Sequence, residues 1–135
     1  MKRREAREAL FTLLYEMTFN NKEELHDTVE KAREYRDLED DYILTSIYGV
    51  YDNLNSIDAL IDENAKRWSL HRISKTTLSI LRLSIYEMLY AGIPFAISIN
   101  EAVELAKKYD DEQAPTFING ILNAIATKSG LKIKK

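Results

Sequence analysis

Ser74-Lys75-Thr76-Thr77-Leu78-Ser79-Ile80-Leu81-Arg82-Leu83-Ser84-Ile85-Tyr86-Glu87-Met88-Leu89-Tyr90 is the most apolar stretch of this 135-residue chain. Leu78, Ile80, Leu81, Leu83, Ile85, Met88 and Leu89 cover nearly every side of a helix rather than one stripe of it. A helix with so little polar surface belongs at the centre of a bundle, with other helices packed around it. Gly92-Ile93-Pro94 brings it to an end.

The flanking sequence supplies those neighbours. On the N-terminal side, a first helix is predicted from near Arg3 to Phe19, with Ala6, Leu10, Leu13 and Met17 spaced by threes and fours. A second covers Lys22 to Arg36, its inner face marked by Leu25, Val29, Ala32 and Tyr35. The acids Glu39, Asp40 and Asp41 suit the positive end of a third, which carries Ile43, Ile47, Val50 and Leu54. Asn55-Ser56 offers an N-cap to a fourth with Ile57, Leu60 and Ile61, closing around Arg67-Trp68.

On the C-terminal side, Ser98-Ile99-Asn100-Glu101 reads as a capping box before a helix bearing Ala102, Leu105, Ala106 and Tyr109. Asp110-Asp111-Glu112 breaks the pattern, and Pro115 fits the first turn of a last helix with Phe117, Ile118, Ile121, Leu122 and Ile125. Gly130 is its expected stop. Gly120 inside that helix costs about 1 kcal/mol relative to alanine, for which close packing against another backbone is the expected reason. Strand alternation is almost absent. The expectation is a single all-α domain over residues 1–135, a compact bundle of about seven helices.

Composition narrows the function classes. With 45% apolar and 30% charged residues, 4 Gly and 2 Pro, the chain is neither disordered nor low-complexity. No run approaches 18 apolar residues, and the N-terminus is too polar for a signal sequence, so a cytosolic protein is expected. The absence of cysteine excludes disulfides, thiol nucleophiles and thiolate-held zinc. His26 and His71 lie far apart, outside any metal-ligand spacing, and neither a phosphate-cradling glycine loop nor a GxSxG elbow is present. Glu87 is the one carboxylate on the apolar helix, and nothing nearby supports a catalytic role for it. No enzyme, cofactor or metal site is expected.

Charge is unevenly placed. Lys2, Arg3, Arg4 and Arg7 against Glu5 give residues 1–7 a charge of +3, and Lys128, Lys132, Lys134 and Lys135 give residues 128–135 +4. The remaining 11 bases and 21 acids leave the middle at -10, within a net charge of -3. Basic ends suit a polyanion and an acidic body suits a basic partner, although terminal lysines also serve solubility. On a helical wheel Arg3, Arg4, Arg7, Phe11 and Tyr15 share a face about 120° wide, beside the core stripe. Arginines pair with phosphates and exposed aromatic rings stack on unpaired bases, and single-stranded RNA offers both. Three arginines in a first turn oppose the helix dipole by about 0.3–1 kcal/mol each, an odd choice for stability alone. The competing reading from spacing is that Phe11 and Tyr15 are core residues and the arginines are solvated.

Arg3-Arg4-Glu5-Ala6-Arg7-Glu8-Ala9-Leu10, ending in Leu14-Tyr15, resembles the opening of the NusB family of bacterial antitermination factors. The resemblance continues through Ile80–Leu89 and Ile93-Pro94, through Ile99-Asn100-Glu101-Ala102-Val103-Glu104-Leu105-Ala106-Lys107, and through Phe117-Ile118-Asn119-Gly120-Ile121-Leu122. Ile57-Asp58 and Trp68 also match, so it spans essentially the whole chain.

This resemblance implies seven helices in two small helical subdomains, binding to the boxA element of ribosomal RNA leaders, and partnership with the ribosomal protein NusE. Other Nus factors and RNA polymerase are then indirect partners. It places RNA contacts on Arg3, Arg4, Arg7, Tyr15 and Phe117, to which we add Lys2 from the basic N-terminus and Phe11 from the wheel. Thr77, with Leu78, stands where the family commonly has an acid associated with the NusE interface, and Thr77 and Glu87 are the candidate partner contacts. Gln113 replaces a position that is often acidic and near the RNA; Gln113→Asp is expected to weaken RNA binding, and equal or tighter binding would contradict this. Changing Arg3, Arg4 and Arg7 together to Ala is expected to weaken RNA binding while leaving the bundle folded. The alternative is a protein-interaction or homodimerising module of the same fold with weak or no RNA binding.

Overall fold

A computed structural model of the chain describes residues 1–36, 38–65 and 72–130. Arg67-Trp68, His71 and the lysines at 132, 134 and 135 lie outside the described residues. Those described form seven α-helices and no strand: α1 (Arg3–Met17), α2 (Leu25–Arg36), α3 (Asp41–Asp52), α4 (Leu54–Ala65), α5 (Lys75–Leu89), α6 (Phe95–Tyr109) and α7 (Ala114–Lys128), with a 3₁₀ turn at Lys22–Glu24. None is long and apolar enough to cross a membrane.

The all-round apolar helix is the hub. α5 packs against α1, α3, α4, α6 and α7. Thr77, Ser79, Arg82, Ser84 and Glu87 are buried on it alongside its aliphatic residues. The buried apolar side chains of the helices around it form one cluster with its own. Arg82 ties α5 to α4 through a forked pair with Asp58, both N···O distances being 2.9 Å.

Local chemistry explains most boundaries. The Asp40 carboxylate accepts from the Tyr42 and Ile43 amides at 2.8 and 3.2 Å, capping α3. Ser74 Oγ accepts from the Thr77 amide at 3.1 Å and caps α5. Gly92 and Gly130 adopt φ of +69° and +77°, the left-handed turn that follows a helix end at little cost only in glycine.

Four local expectations need correction. α4 starts at Leu54, ahead of the Asn55-Ser56 cap. Tyr35, in the last turn of α2, is 79% exposed and lies off the inner face that Leu25, Val29 and Ala32 share. Ser98 lies inside α6, since Pro94, with φ fixed at -53°, begins that helix one turn earlier. Its carbonyl accepts from Ser84 Oγ at 3.2 Å, while its own Oγ is the one buried side-chain polar atom, among the described residues, without a hydrogen-bond partner. Gly120 has open space where a Cβ would sit. The glycine that close packing does require is Gly49 on α3, whose Cβ would fall 2.4–2.6 Å from the Tyr86 ring.

Candidate nucleic-acid interface

The basic turn of α1 divides into an exposed part and a buried part. Lys2 precedes the helix, and its amide donates to Glu5 Oε1 at 3.4 Å. The exposed Arg3 guanidinium stands over the Tyr42 ring, 4.1 Å from its centre. Arg4 is 71% exposed yet forks onto Glu101, with Nε and Nη2 at 3.1 and 2.8 Å from its two oxygens. The hydrogen bond to Glu101 and its charge hold the Arg4 guanidinium still more firmly protonated.

Arg7 behaves differently. Its side chain is 5% exposed, with Nε 3.1 Å from both oxygens of Glu87 and Nη1 3.1 Å from Glu101 Oε1. Nη2 completes the fork on Glu87. Tyr42 donates its hydroxyl to the same Glu87 carboxylate at 3.0 Å. Burial works against the Arg7 charge, but Glu87 overcomes it and raises the pKa. Burial first, then the Glu87 charge, pushes the Tyr42 phenol far above its ordinary range. The expectation of three phosphate-facing arginines is therefore corrected at Arg7. A wheel fixes angles within α1 but carries no information that Glu87 of α5 comes to meet one of them. The Glu87 partner contact falls for the same reason: the residue is wholly buried. The triple alanine change would also strand the Glu87 charge, so it is expected to destabilise the bundle as well as to weaken RNA binding.

Further along α1, Phe11 is buried rather than displayed. Its ring lies 5.1 Å from that of Tyr109 and 6.5 Å from that of Tyr15. Tyr15 remains on the surface, and the more exposed Phe19 meets it edge-on at 5.3 Å. The Lys75 ammonium sits 3.9 Å above the Phe19 ring. Phe11, Thr12, Tyr15, Thr76 and Tyr109 line a hollow of about 320 Å³ between α1, α5 and α6. On its edge, Glu8 accepts from Lys108 Nζ at 2.6 Å and from the Tyr109 hydroxyl. Both hydrogen bonds hold the Glu8 carboxyl below its usual range.

Gln113 and Phe117 meet at a second hollow of about 230 Å³, shared with Arg72, Ser74, Thr77 and Asp111. Gln113 is exposed and Phe117 half-buried. Thr77 is buried: its hydroxyl donates to Asp110 Oδ2 at 2.5 Å and accepts from Ser74 at 3.0 Å. It ties the start of α5 to the end of α6 while also lining the second hollow. The described residues contain no cluster of His, Cys, Asp and Glu suited to a metal.

Sequence reasoning missed Glu8, Lys75 and Tyr109. Tyr109 was placed on the inner stripe of its helix, and its position at the very end of α6 was the available hint that it would reach the surface. Nothing in the sequence marked Lys75.

Residues 4–127 match the model of the NusB family. The chain is 43% identical over 129 residues to the transcription antitermination protein NusB of Acetivibrio thermocellus, covering 93% of this chain and 88% of that one. It is 41% identical over 134 residues to the NusB protein of Thermoanaerobacter sp., covering 98% and 95%. Among solved structures it superposes on NusB of T. maritima with a TM-score of 0.84, at 35% identity over 95% of this chain and 92% of that one. A chain from a crystal structure of the antitermination factors NusB and NusE in complex with dsRNA aligns with a TM-score of 0.80, at 25% identity over 93% and 96%.

Proposed function

This chain belongs to the NusB family, and on that premise we propose that it is a transcription antitermination factor binding boxA-type single-stranded RNA of ribosomal RNA leaders together with NusE. It acts by display rather than by catalysis, as one RNA-binding domain in the bacterial cytoplasm, and supports ribosomal RNA transcription and maturation. Other Nus factors and RNA polymerase are reached through the assembly.

The observation that carries the reading is the run of exposed groups along α1, from Lys2, Arg3 and Arg4 to Tyr15. Arg4 and Tyr15 are eleven residues apart, so cation and ring are separated by about 16 Å along the helix. Phosphates meet the first three residues, and bases meet Tyr15 and, at the second hollow, Phe117 beside Gln113. Arg7 and Phe11 support these groups from beneath: one holds α1 to α5 and α6, the other backs the ring of Tyr15. Preorganised cations lose less freedom when a phosphate arrives, and Glu101 holds the Arg4 fork in place until then. The acidic middle of the chain suits a basic ribosomal protein as partner.

The test is a fluorescence-anisotropy titration with a boxA-like RNA and a scrambled control, with and without NusE, at several salt concentrations. Neutralisation of three phosphates by Lys2, Arg3 and Arg4 gives a log–log salt slope of about -2 for a single strand. Preference for boxA, strengthened by NusE, is the expected result. Weak binding without preference in either condition would favour the protein-interaction or homodimerising module.

A further inference from the structure

We infer that the hollow walled by Tyr15, Thr76 and Tyr109, continued by Phe19 and Lys75, is a further nucleotide subsite: it takes one unpaired RNA base against its aromatic wall and an adjoining phosphate on Lys75. The inference rests on the RNA reading above, which already gives Tyr15 a base, and extends that contact to Phe19, Lys75, Thr76 and Tyr109, which that reading does not use.

Three aromatic side chains come to the surface side by side here. Tyr15 is 37%, Phe19 60% and Tyr109 42% exposed, over the buried ring of Phe11. Exposed rings in succession are what a single strand uses, because every base has a π-face and stacking tolerates sequence. The rim supplies the charge. Lys75 has no carboxylate partner among the described residues; its ammonium lies over the Phe19 ring and 3.5 Å from the Thr18 carbonyl, open to an anion from the solvent side. Lys108, on the opposite rim, is already matched by Glu8. The two rims therefore differ. The Glu8–Lys108 pair is neutral as a whole and offers a phosphate little, whereas Lys75 attracts one on the α5 side, so a strand arriving from Arg3 and Arg4 is steered across the rings towards Lys75. Glu8 also fixes the Tyr109 hydroxyl, so that ring is set before a base arrives.

An aromatic groove with one cation also suits a peptide. Continuity with the exposed arginines of α1 and the unmatched charge of Lys75 favour RNA.

The test uses the full chain and the labelled boxA-like RNA, with Lys75→Gln, Tyr109→Leu and, at the far end of the track, Arg4→Gln. Leucine keeps an apolar cover on Phe11 while removing the stacking face. Lys75→Gln is expected to weaken binding severalfold and make the salt slope shallower by about 0.7, the loss of one phosphate contact. Tyr109→Leu is expected to weaken binding about fivefold or more. Removing bases one at a time from the RNA should reveal a single position at which Tyr109→Leu has no further effect, the signature of a direct pair. Should Tyr109→Leu fail to fold, Lys75→Gln, at an exposed position, carries the test. If Arg4→Gln weakens binding while Lys75→Gln and Tyr109→Leu change neither affinity nor slope, the subsite is overturned and the RNA reading stands. If those two variants lose only NusE affinity, the groove is a protein contact and the subsite is again overturned. If the wild type shows no RNA binding, both fall.

Discussion

Arg7 Nη2 lies 2.8 Å from Glu87 Oε2, and the two side chains, 5% and 0% exposed, are shut away from water between α1 and α5. Glu101 and Tyr42 complete the arrangement from α6 and α3. Two buried charges are tolerable only because each is matched and hydrogen-bonded. The pair thus fixes where α1 sits on the bundle, and with it the direction in which Arg3, Arg4 and Tyr15 point.

Arg7→Ala is expected to destabilise the protein by about 3–5 kcal/mol, because Glu87 would remain buried without its cation. Replacing both members by apolar residues of similar volume should recover most of that loss. Urea unfolding of the single and double variants measures both. A single variant as stable as wild type would contradict the account.

Arg3→Gln with Arg4→Gln should leave the fold intact, since both side chains are exposed, and exposed ion pairs such as Arg4–Glu101 contribute only about 0–1 kcal/mol. RNA affinity should fall and the salt slope should become shallower by about 1.4, two single-strand contacts. Comparing this variant with Arg7→Ala separates loss of RNA contact from loss of structure.

Gly49→Ala and Gly120→Ala should move stability in opposite directions. A Cβ at position 49 runs into the Tyr86 ring, which is buried and has little room to retreat, at a cost of about 1–3 kcal/mol. At position 120 the space is open and the backbone helical, so alanine should gain about 0.4–1 kcal/mol. Thermal melts of the two variants decide it.

These glycines mark how far the sequence could be read. The apolar periodicity of residues 74–90 announced a central helix, and the six around it followed from stripes, Asp40, Pro115 and Gly130, all of which act within one or two turns. What was missed depends on contacts between helices distant in the chain. Nothing local to the sequence marks Gly49; its reason is Tyr86, which comes from α5. Ser98-Ile99-Asn100-Glu101 had the letters of a capping box, but Pro94 starts the helix earlier and leaves Glu101 free to hold Arg4 and Arg7. The basic, aromatic face of α1 was visible on a wheel; which of its members stay in water was decided by Glu87 and Tyr109.

Glu8 ties α1 to the end of α6 through Lys108 and Tyr109, and its depressed pKa sets the sign of a pH effect. A carboxyl held below its unfolded value of about 4.3 contributes stability that is full above that pH and is lost as pH falls through the native value. The stability difference between wild type and Glu8→Gln should therefore shrink as the medium is acidified below about pH 4.3, and stay constant above roughly pH 6. Hydrogen exchange at the end of α6 offers a local readout. A difference that grows on acidification would contradict the assignment.

The burial of Glu87 has one more consequence, for anyone who would cut the molecule in two. A fragment ending after α3 keeps Arg7 and Tyr42 but lacks both carboxylates, and the complementary piece keeps Glu87 and Glu101 without their cation. Each half is an ionic torso whose counterpart was left on the other. Mixed together, the two pieces have an electrostatic reason, as well as an apolar one, to find each other again.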